Sequence, residues 1–133
     1  MTNSILISKT IYELLNASKN LKSYVDERIY PLVAESDTSF PFITYSRDSV
    51  SPSSHTKDGL HEDTVSFSIL VVSNNYLNSL EIANICRGIF EKRKITSDDL
   101  VLEYTELVGI VEEFMDDSYT QSLKFTGVVR NNN

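Results

Sequence analysis

The chain has 133 residues, of which 41% are hydrophobic and 23% charged, so a single folded domain is expected rather than a disordered chain. The formal net charge of −7 disfavours a dedicated DNA or RNA binder, because such proteins present basic surfaces to phosphates. A lone cysteine excludes an internal disulfide, and no stretch approaches the roughly 18 apolar residues of a membrane span. The N-terminal residues carry no recognisable secretory signal, so folding in a reducing cytoplasm is expected.

The first third of the chain predicts two helices followed by extended chain. Apolar residues at helical spacing predict a helix from about Ile7, with Ser8 as its N-cap. Residues 18–25 predict a second, shorter helix. Pro31 and Pro41 then bias the backbone away from helix, and residues 42–46 predict a strand rich in β-formers.

A polar segment precedes the clearest strand. Residues 49–60 contain Pro52, Gly59 and many polar side chains, which predicts a long loop at the tip of a hairpin. Residues 64–72 alternate regularly, which predicts a strand with one buried face and one wet face. The predicted core face consists of Val65, Phe67, Ile69 and Val71.

The last half predicts one helix and two long strands. A helix is predicted over residues 76–92, capped by Asn74 or Asn75, with a core stripe of Tyr76, Leu80, Ala83, Cys86 and Phe90. Strands are predicted over residues 101–114 and 119–129, joined by a tight acidic turn. The expected fold is α+β: a mainly antiparallel sheet of about four strands with two main helices packed on one face, in the order α-β-β-α-β-β. Residues 1–130 form this single domain, and residues 131–133 are expected to be a disordered tail.

No set of residues predicts catalysis, a metal or a cofactor. His55 and His61 are the only histidines, and their spacing matches no zinc signature. Cys86 lies on an apolar helical stripe, where a free cysteine usually acts as a small hydrophobic residue. The four glycines are dispersed, which excludes a phosphate-binding loop.

Several short motifs occur in a fixed order along the chain. Residues 26–31 read Asp-Glu-Arg-Ile-Tyr-Pro, and residues 40–45 read Phe-Pro-Phe-Ile-Thr-Tyr. The strand at residues 62–69, the helix at residues 83–87 and the last strand follow. In their order and spacings these motifs resemble the phage tail-completion family, the small neck proteins that include tail terminators. The acidic pair before the Arg-Ile-Tyr-Pro motif departs from the family pattern. The motif residues, expected to be mostly structural, with most of the aromatic side chains in the core, are Arg28, Ile29, Tyr30, Pro31, Pro41, Phe42 and Tyr45.

The resemblance implies a structural subunit rather than an enzyme. It implies a six-fold ring of identical copies at the head-proximal end of a tail, which terminates the tail tube and joins it to the head connector. Its partners would be itself, the tail tube protein and the head connector protein. The protein would assemble in the host cytoplasm and then reside in the virion neck, without a membrane.

Two candidate surfaces follow from that expectation. An acidic lumen would let DNA pass without binding it specifically; the candidate lumen residues are Asp58, Glu62, Asp63, Glu112, Glu113, Asp116 and Asp117. Turn chemistry alone would also explain the acidic residues at the end of the hairpin. The polar segment is the candidate docking loop toward tube or connector, with Ser51, Pro52, His55, Lys57 and Gly59 as its candidate residues.

Three other functions stay open at the level of sequence. The nearest is a head-completion or connector-stopper protein of the phage neck. A small α+β interaction module unrelated to phage would have the same composition. A small hydrolase would use His55 or His61 as its proton carrier.

Overall fold

The structure, a computed structural model, describes residues 3–55 and 61–130. Its elements follow the chain as two α-helices, three strands, a third α-helix and three further strands. A short 3-10 helix at Ser4–Leu6 precedes the first α-helix. The α-helices are α1 (Ile7–Ala17), α2 (Lys19–Val25) and α3 (Tyr76–Phe90). The strands are β1 (Ile29–Pro31), β2 (Phe42–His55), β3 (His61–Ser73), β4 (Lys94–Thr96), β5 (Val101–Met115) and β6 (Ser118–Arg130).

The six strands form one mixed sheet in the order β1-β2-β3-β6-β5-β4. All neighbouring pairs are antiparallel except β1 and β2, which are parallel. The short strands β1 and β4 cover only part of the two sheet edges. The outer edges of β2 and β5 therefore extend beyond them.

The core lies between one face of the sheet and the three helices. The predicted core face of β3 is confirmed, since Val65, Phe67, Ile69 and Val71 are fully buried. Phe67 stacks on Phe125 of β6 with 5.3 Å between ring centroids, and Phe90 of α3 contacts both rings. These aromatic contacts fix α3 across β3 and β6.

The expected α+β class is confirmed, but the expected counts of about four strands and two main helices describe the fold only roughly, since it has six strands and three α-helices. Strands β1 and β4 have three residues each, which is too short for alternation to be recognised. The predicted loop over residues 49–60 is also wrong for residues 49–55, which belong to β2 and pair with β3. Pro52 is accommodated because β2 is an edge strand beyond β1 and has register shifts on both sides of this proline.

Two predictions about helices need correction. Helix α3 buries Ala83, Cys86 and Phe90 as expected, but Tyr76 and Leu80 are 41% and 38% exposed. Ile82 and Ser79 are buried instead. The Ser79 hydroxyl can be buried because it donates to the Tyr76 carbonyl at 2.7 Å. Ser8 lies inside α1 rather than at its N-cap, because the 3-10 helix already winds the preceding turn. Asn75 caps α3 as predicted, and Ser18, for which no cap was predicted, is the N-cap of α2.

Candidate interaction surfaces

The Arg-Ile-Tyr-Pro motif builds the start of the sheet. Arg28 donates from Nε to the Pro41 carbonyl at 2.8 Å and from an Nη atom to the Tyr24 carbonyl at 3.3 Å. The Arg28 carbonyl accepts from the backbone N–H of Ile43 at 3.0 Å, next to the parallel pairing of β1 with β2. The guanidinium therefore connects the end of α2 to the start of β2. This arrangement gives Arg28 a structural role.

The aromatic residues around this motif are less buried than expected. Tyr45 is buried, Tyr30 and Phe42 are half-buried, and Phe40 is 40% exposed. The expectation that most of them lie in the core is therefore wrong. They stand at the β1–β2 edge, where Phe40 stacks on Phe42 with 5.8 Å between centroids. Ile29 is buried, and Pro31 is exposed at the end of β1.

The candidate docking residues fall on the hairpin of β2 and β3. Ser51 and Pro52 are exposed on β2. His55 pairs with His61 in the backbone ladder. Lys57 and Gly59, and the candidate lumen residue Asp58, lie outside the described residues.

The structure gives no support for a nucleophile at Cys86. The side chain is fully buried in the core, and this burial raises the pKa of the Cys86 thiol to about 12. At neutral pH the thiolate that a nucleophile requires is therefore negligible. Among residues 3–55 and 61–130, no group of three or more His, Cys, Asp or Glu side chains is placed to hold a metal ion. None of the described helices is long and apolar enough to cross a bilayer.

The candidate acidic residues separate into two groups at opposite ends of the sheet. Glu62 pairs with Arg130 at 2.9 Å, and Asp63 accepts from the Ser4 hydroxyl at 2.6 Å. In the ladder of β3 and β6, Glu62 is opposite Arg130, whereas Ser73 is opposite Tyr119. The second group, at the end of the β5–β6 hairpin near Tyr119, consists of Glu112, Glu113, Asp116 and Asp117.

The turn of this hairpin has its own structural reason for acidic residues. Asp116 and Asp117 have φ values of 53° and 58°, so both central residues of this two-residue loop are left-handed. This is the geometry of a type I′ turn, which matches the twist of the two strands. Aspartate accepts left-handed backbone more readily than most residues.

An aromatic notch lies beside this hairpin end, with a volume of about 220 Å³. Tyr119 contacts the rings of Tyr76 and Phe114 at centroid distances of 5.4 and 4.9 Å. Phe114 is 60% exposed, so much of this aromatic surface faces solvent. The notch is lined by Tyr76, Glu112, Glu113, Phe114, Tyr119 and Gln121.

Hydrogen bonds hold one carboxylate in the notch. Tyr76 donates from its hydroxyl to both oxygens of Glu112, at 3.0 and 3.3 Å. Gln121 donates to the same carboxylate at 3.1 Å and to the Ser79 hydroxyl at 3.3 Å. The hydrogen bond to Glu112 raises the pKa of the Tyr76 hydroxyl, and the negative charge of Glu112 adds to this effect. Tyr76 therefore stays protonated at neutral pH and orients Glu112.

The opposite end of α3 carries a basic segment, defined here as Lys92, Arg93 and Lys94. All three side chains are exposed, and the part of the chain that the structure describes offers none of them an ion pair. The backbone of this basic segment is fixed to the sheet, because the Arg93 carbonyl accepts from the N–H of Tyr104 at 2.8 Å and Lys94 begins β4.

A second recess lies between the 3-10 helix and the irregular part of β2, with a volume of about 590 Å³. Its wall includes Arg47, which donates to the Ile5 carbonyl at 3.1 Å. Sequence patterns did not identify this recess or the notch, because each joins residues far apart in the chain. The exposed Tyr76 gave a misleading signal, since its spacing fits the core stripe.

Both the sequence and the fold of this chain match known proteins. The sequence model of the family described as "Tail completion protein gp17" matches residues 9–126. A chain in the structure titled "Virion of native gene transfer agent (GTA) particle" superposes with a TM-score of 0.72. It is 14% identical, and the match covers 91% of this chain and 92% of that one. No curated protein matches.

Proposed function

Because this chain belongs to the tail completion protein gp17 family and is thus a structural protein of phage-like tails, we propose that it forms a ring at the head-proximal end of a tail. The ring terminates the tail tube and joins it to the head connector. The observation that carries this proposal is the family match over residues 9–126, together with a fold shared along nearly the whole chain with a component of a virion particle.

The architecture supports assembly from identical copies. A ring of one protein requires two different surfaces on each subunit, because each copy contacts its neighbours head to tail. Here the β1–β2 edge and the β5 edge lie at opposite sides of one sheet. Exposed apolar side chains occur near both, with Leu32 and Val33 after β1 and Val108 and Val111 on β5. Six copies per ring is the number that the family resemblance implies.

The acidic lumen remains part of the proposal. Carboxylates facing a channel would repel phosphate, so DNA would pass without adhering. The group at the end of the β5–β6 hairpin supports this idea better than Glu62, because Arg130 partly neutralises Glu62. Docking to tube or connector is proposed for the end of the β2–β3 hairpin, where Ser51 and Pro52 are exposed.

Electron microscopy of the purified protein, alone and with isolated tail tubes, tests the proposal. The expected result is a ring that caps one end of each tube. Tubes that stay uncapped at equal protein concentration would contradict it. A density map of the capped tube also locates both hairpin ends: acidic residues on the outer wall would reject the lumen, and a β2–β3 hairpin far from tube and connector would reject the docking surface.

The nearest alternative is a head-completion or connector-stopper protein. The same experiment with isolated connectors separates the two roles, because a stopper binds connectors and leaves tubes bare. A stable dimer that ignores both would instead favour an interaction module unrelated to phage.

A further inference from the structure

The notch and the basic segment carry opposite charge at opposite ends of one rigid body. Helix α3 separates them, and its fifteen residues span about 22 Å at 1.5 Å per residue. Along β5, Lys94 is opposite Glu103, roughly 30 Å of strand away from Glu112. The basic segment therefore cannot fill the notch of its own chain.

The notch has the chemistry to bind a cationic side chain. Tyr76, Phe114 and Tyr119 offer aromatic faces, which attract Lys and Arg. Glu112 is already oriented by two hydrogen-bond donors, so its placement costs little entropy on binding. Within residues 3–55 and 61–130, neither Glu112 nor Glu113 has an ion-pair partner. A guanidinium can also contact a carboxylate through two parallel hydrogen bonds.

We propose that the notch binds the basic segment of a second copy of this chain. The charge complementarity between the notch and the basic segment selects this occupant, since copies with a net charge of −7 repel one another unless opposite charges meet locally. The contact joins two different surfaces, so it propagates head to tail and can close into a ring. It rests on the proposed ring and identifies one interface within it. Asp116 and Asp117 do not line the notch and stay available for the lumen.

Charge reversal in mixtures tests this contact. Glu112→Lys with Glu113→Lys reverses the notch, and Lys92→Glu with Lys94→Glu reverses the basic segment. Each double variant alone should associate with itself about 100-fold more weakly than the unmodified chain. An equimolar mixture of the two should recover association, because every notch then meets an opposite charge on an alternating neighbour.

Two control variants test whether the loss of association comes from the notch charges. Glu13→Lys with Glu35→Lys changes the net charge equally at exposed positions away from it and should leave association unchanged. Glu112→Gln with Glu113→Gln keeps acceptors for Tyr76 but removes both charges, so it should weaken association without a loss of melting temperature. Failure of the mixture to recover, with every variant folded, would overturn the proposal.

Cross-linking gives a readout even when association is weak. Phe114→Cys places a thiol at the notch, and Thr96→Cys places one beside the basic segment, on the same side of β4 as Lys94. A short bis-maleimide should link these two variants to each other in a mixture and link neither to itself. If two Phe114→Cys chains were linked to each other, the contact would join two notches in a two-fold symmetric dimer, and the head-to-tail contact would be overturned. Buried Cys86 does not compete for the reagent.

Failure of this inference is distinguishable from failure of the proposed function. Rings that cap tubes but tolerate the reversed notch would overturn this contact and leave the ring intact. A chain that caps no tube and yields no cross-link would overturn both.

Discussion

Arg28 belongs to the Arg-Ile-Tyr-Pro motif and also connects two elements of the fold. Its two hydrogen bonds join backbone carbonyls of α2 and of the segment before β2, which are 17 residues apart at Tyr24 and Pro41. The motif was expected to be structural, and these contacts supply the physical reason. The partners themselves were not predictable, because carbonyls carry no signature in a sequence.

Loss of the guanidinium should destabilise the fold. Arg28→Ala leaves two part-buried carbonyls without this donor, so the free energy of unfolding should fall by about 2 kcal/mol. Urea unfolding, monitored by circular dichroism, measures this loss of unfolding free energy. The matched control is Arg87→Ala, which removes an exposed ion pair with Glu91 and should cost no more than about 0.5 kcal/mol. Equal losses in both variants would contradict the structural role of Arg28.

Cys86 gives the fold a pH dependence on the alkaline side. The pKa of its thiol rises from 9.0 to about 12 on burial, so between these values only the unfolded chain ionises. Its contribution to stability is therefore intact below pH 9 and is lost as pH rises toward 12. Cys86→Ala should flatten the fall in unfolding free energy between pH 8 and 10.5, measured in urea. Tyr24, Tyr45 and Tyr76 titrate in both proteins, so their effects cancel in the comparison. Parallel curves would contradict burial of the thiol.

Among the elements, long regular patterns were predictable and short or ambiguous ones were not. Strand β3 alternates over many residues and was located correctly. Helix α3 contains more apolar residues than one face can bury, so two stripes were possible. Contacts across the sheet decide between them, since Phe90 packs on Phe67 and Phe125 while Tyr76 turns toward Tyr119. Pairing with β3 likewise extends β2 through a serine-rich segment that has no strand signature of its own.

The β5–β6 hairpin allows turn chemistry to be separated from the proposed lumen charge. Asp116→Asn with Asp117→Gly introduces the residues that a type I′ turn prefers, so stability should rise by about 0.5–1 kcal/mol. Asp116→Ala with Asp117→Ala should lower it, because alanine disfavours positive φ. Thermal unfolding of the original chain and the two double variants measures the order of their stabilities. An Asn-Gly variant less stable than the original chain would contradict the turn geometry.

At the scale of the whole molecule, the proposed function depends on how copies meet, and here the sequence is least informative. The family motifs concentrate in the fold, as Arg28 and Ile29 illustrate, whereas the notch and the basic segment become a pair only once α3 sets their separation. If copies of this acidic chain associate as proposed, their net charges repel one another. The location of the exposed basic segment therefore carries more information about assembly than the total charge.

The sign of the salt dependence distinguishes a charge-complementary interface from a purely apolar one. If the notch binds the basic segment, self-association should weaken as sodium chloride rises from about 0.05 to about 0.5 M, because screening acts on the attractive pairs. If exposed apolar residues such as Val108 and Val111 alone joined the copies, the same salt would screen the repulsion between net charges of −7, and association would strengthen. Sedimentation equilibrium at a series of salt concentrations measures the sign. Glu112→Gln with Glu113→Gln provides the internal control: removing the attractive charges should reverse or abolish the decrease. Association of the unmodified chain that strengthens with salt would contradict the ionic contact.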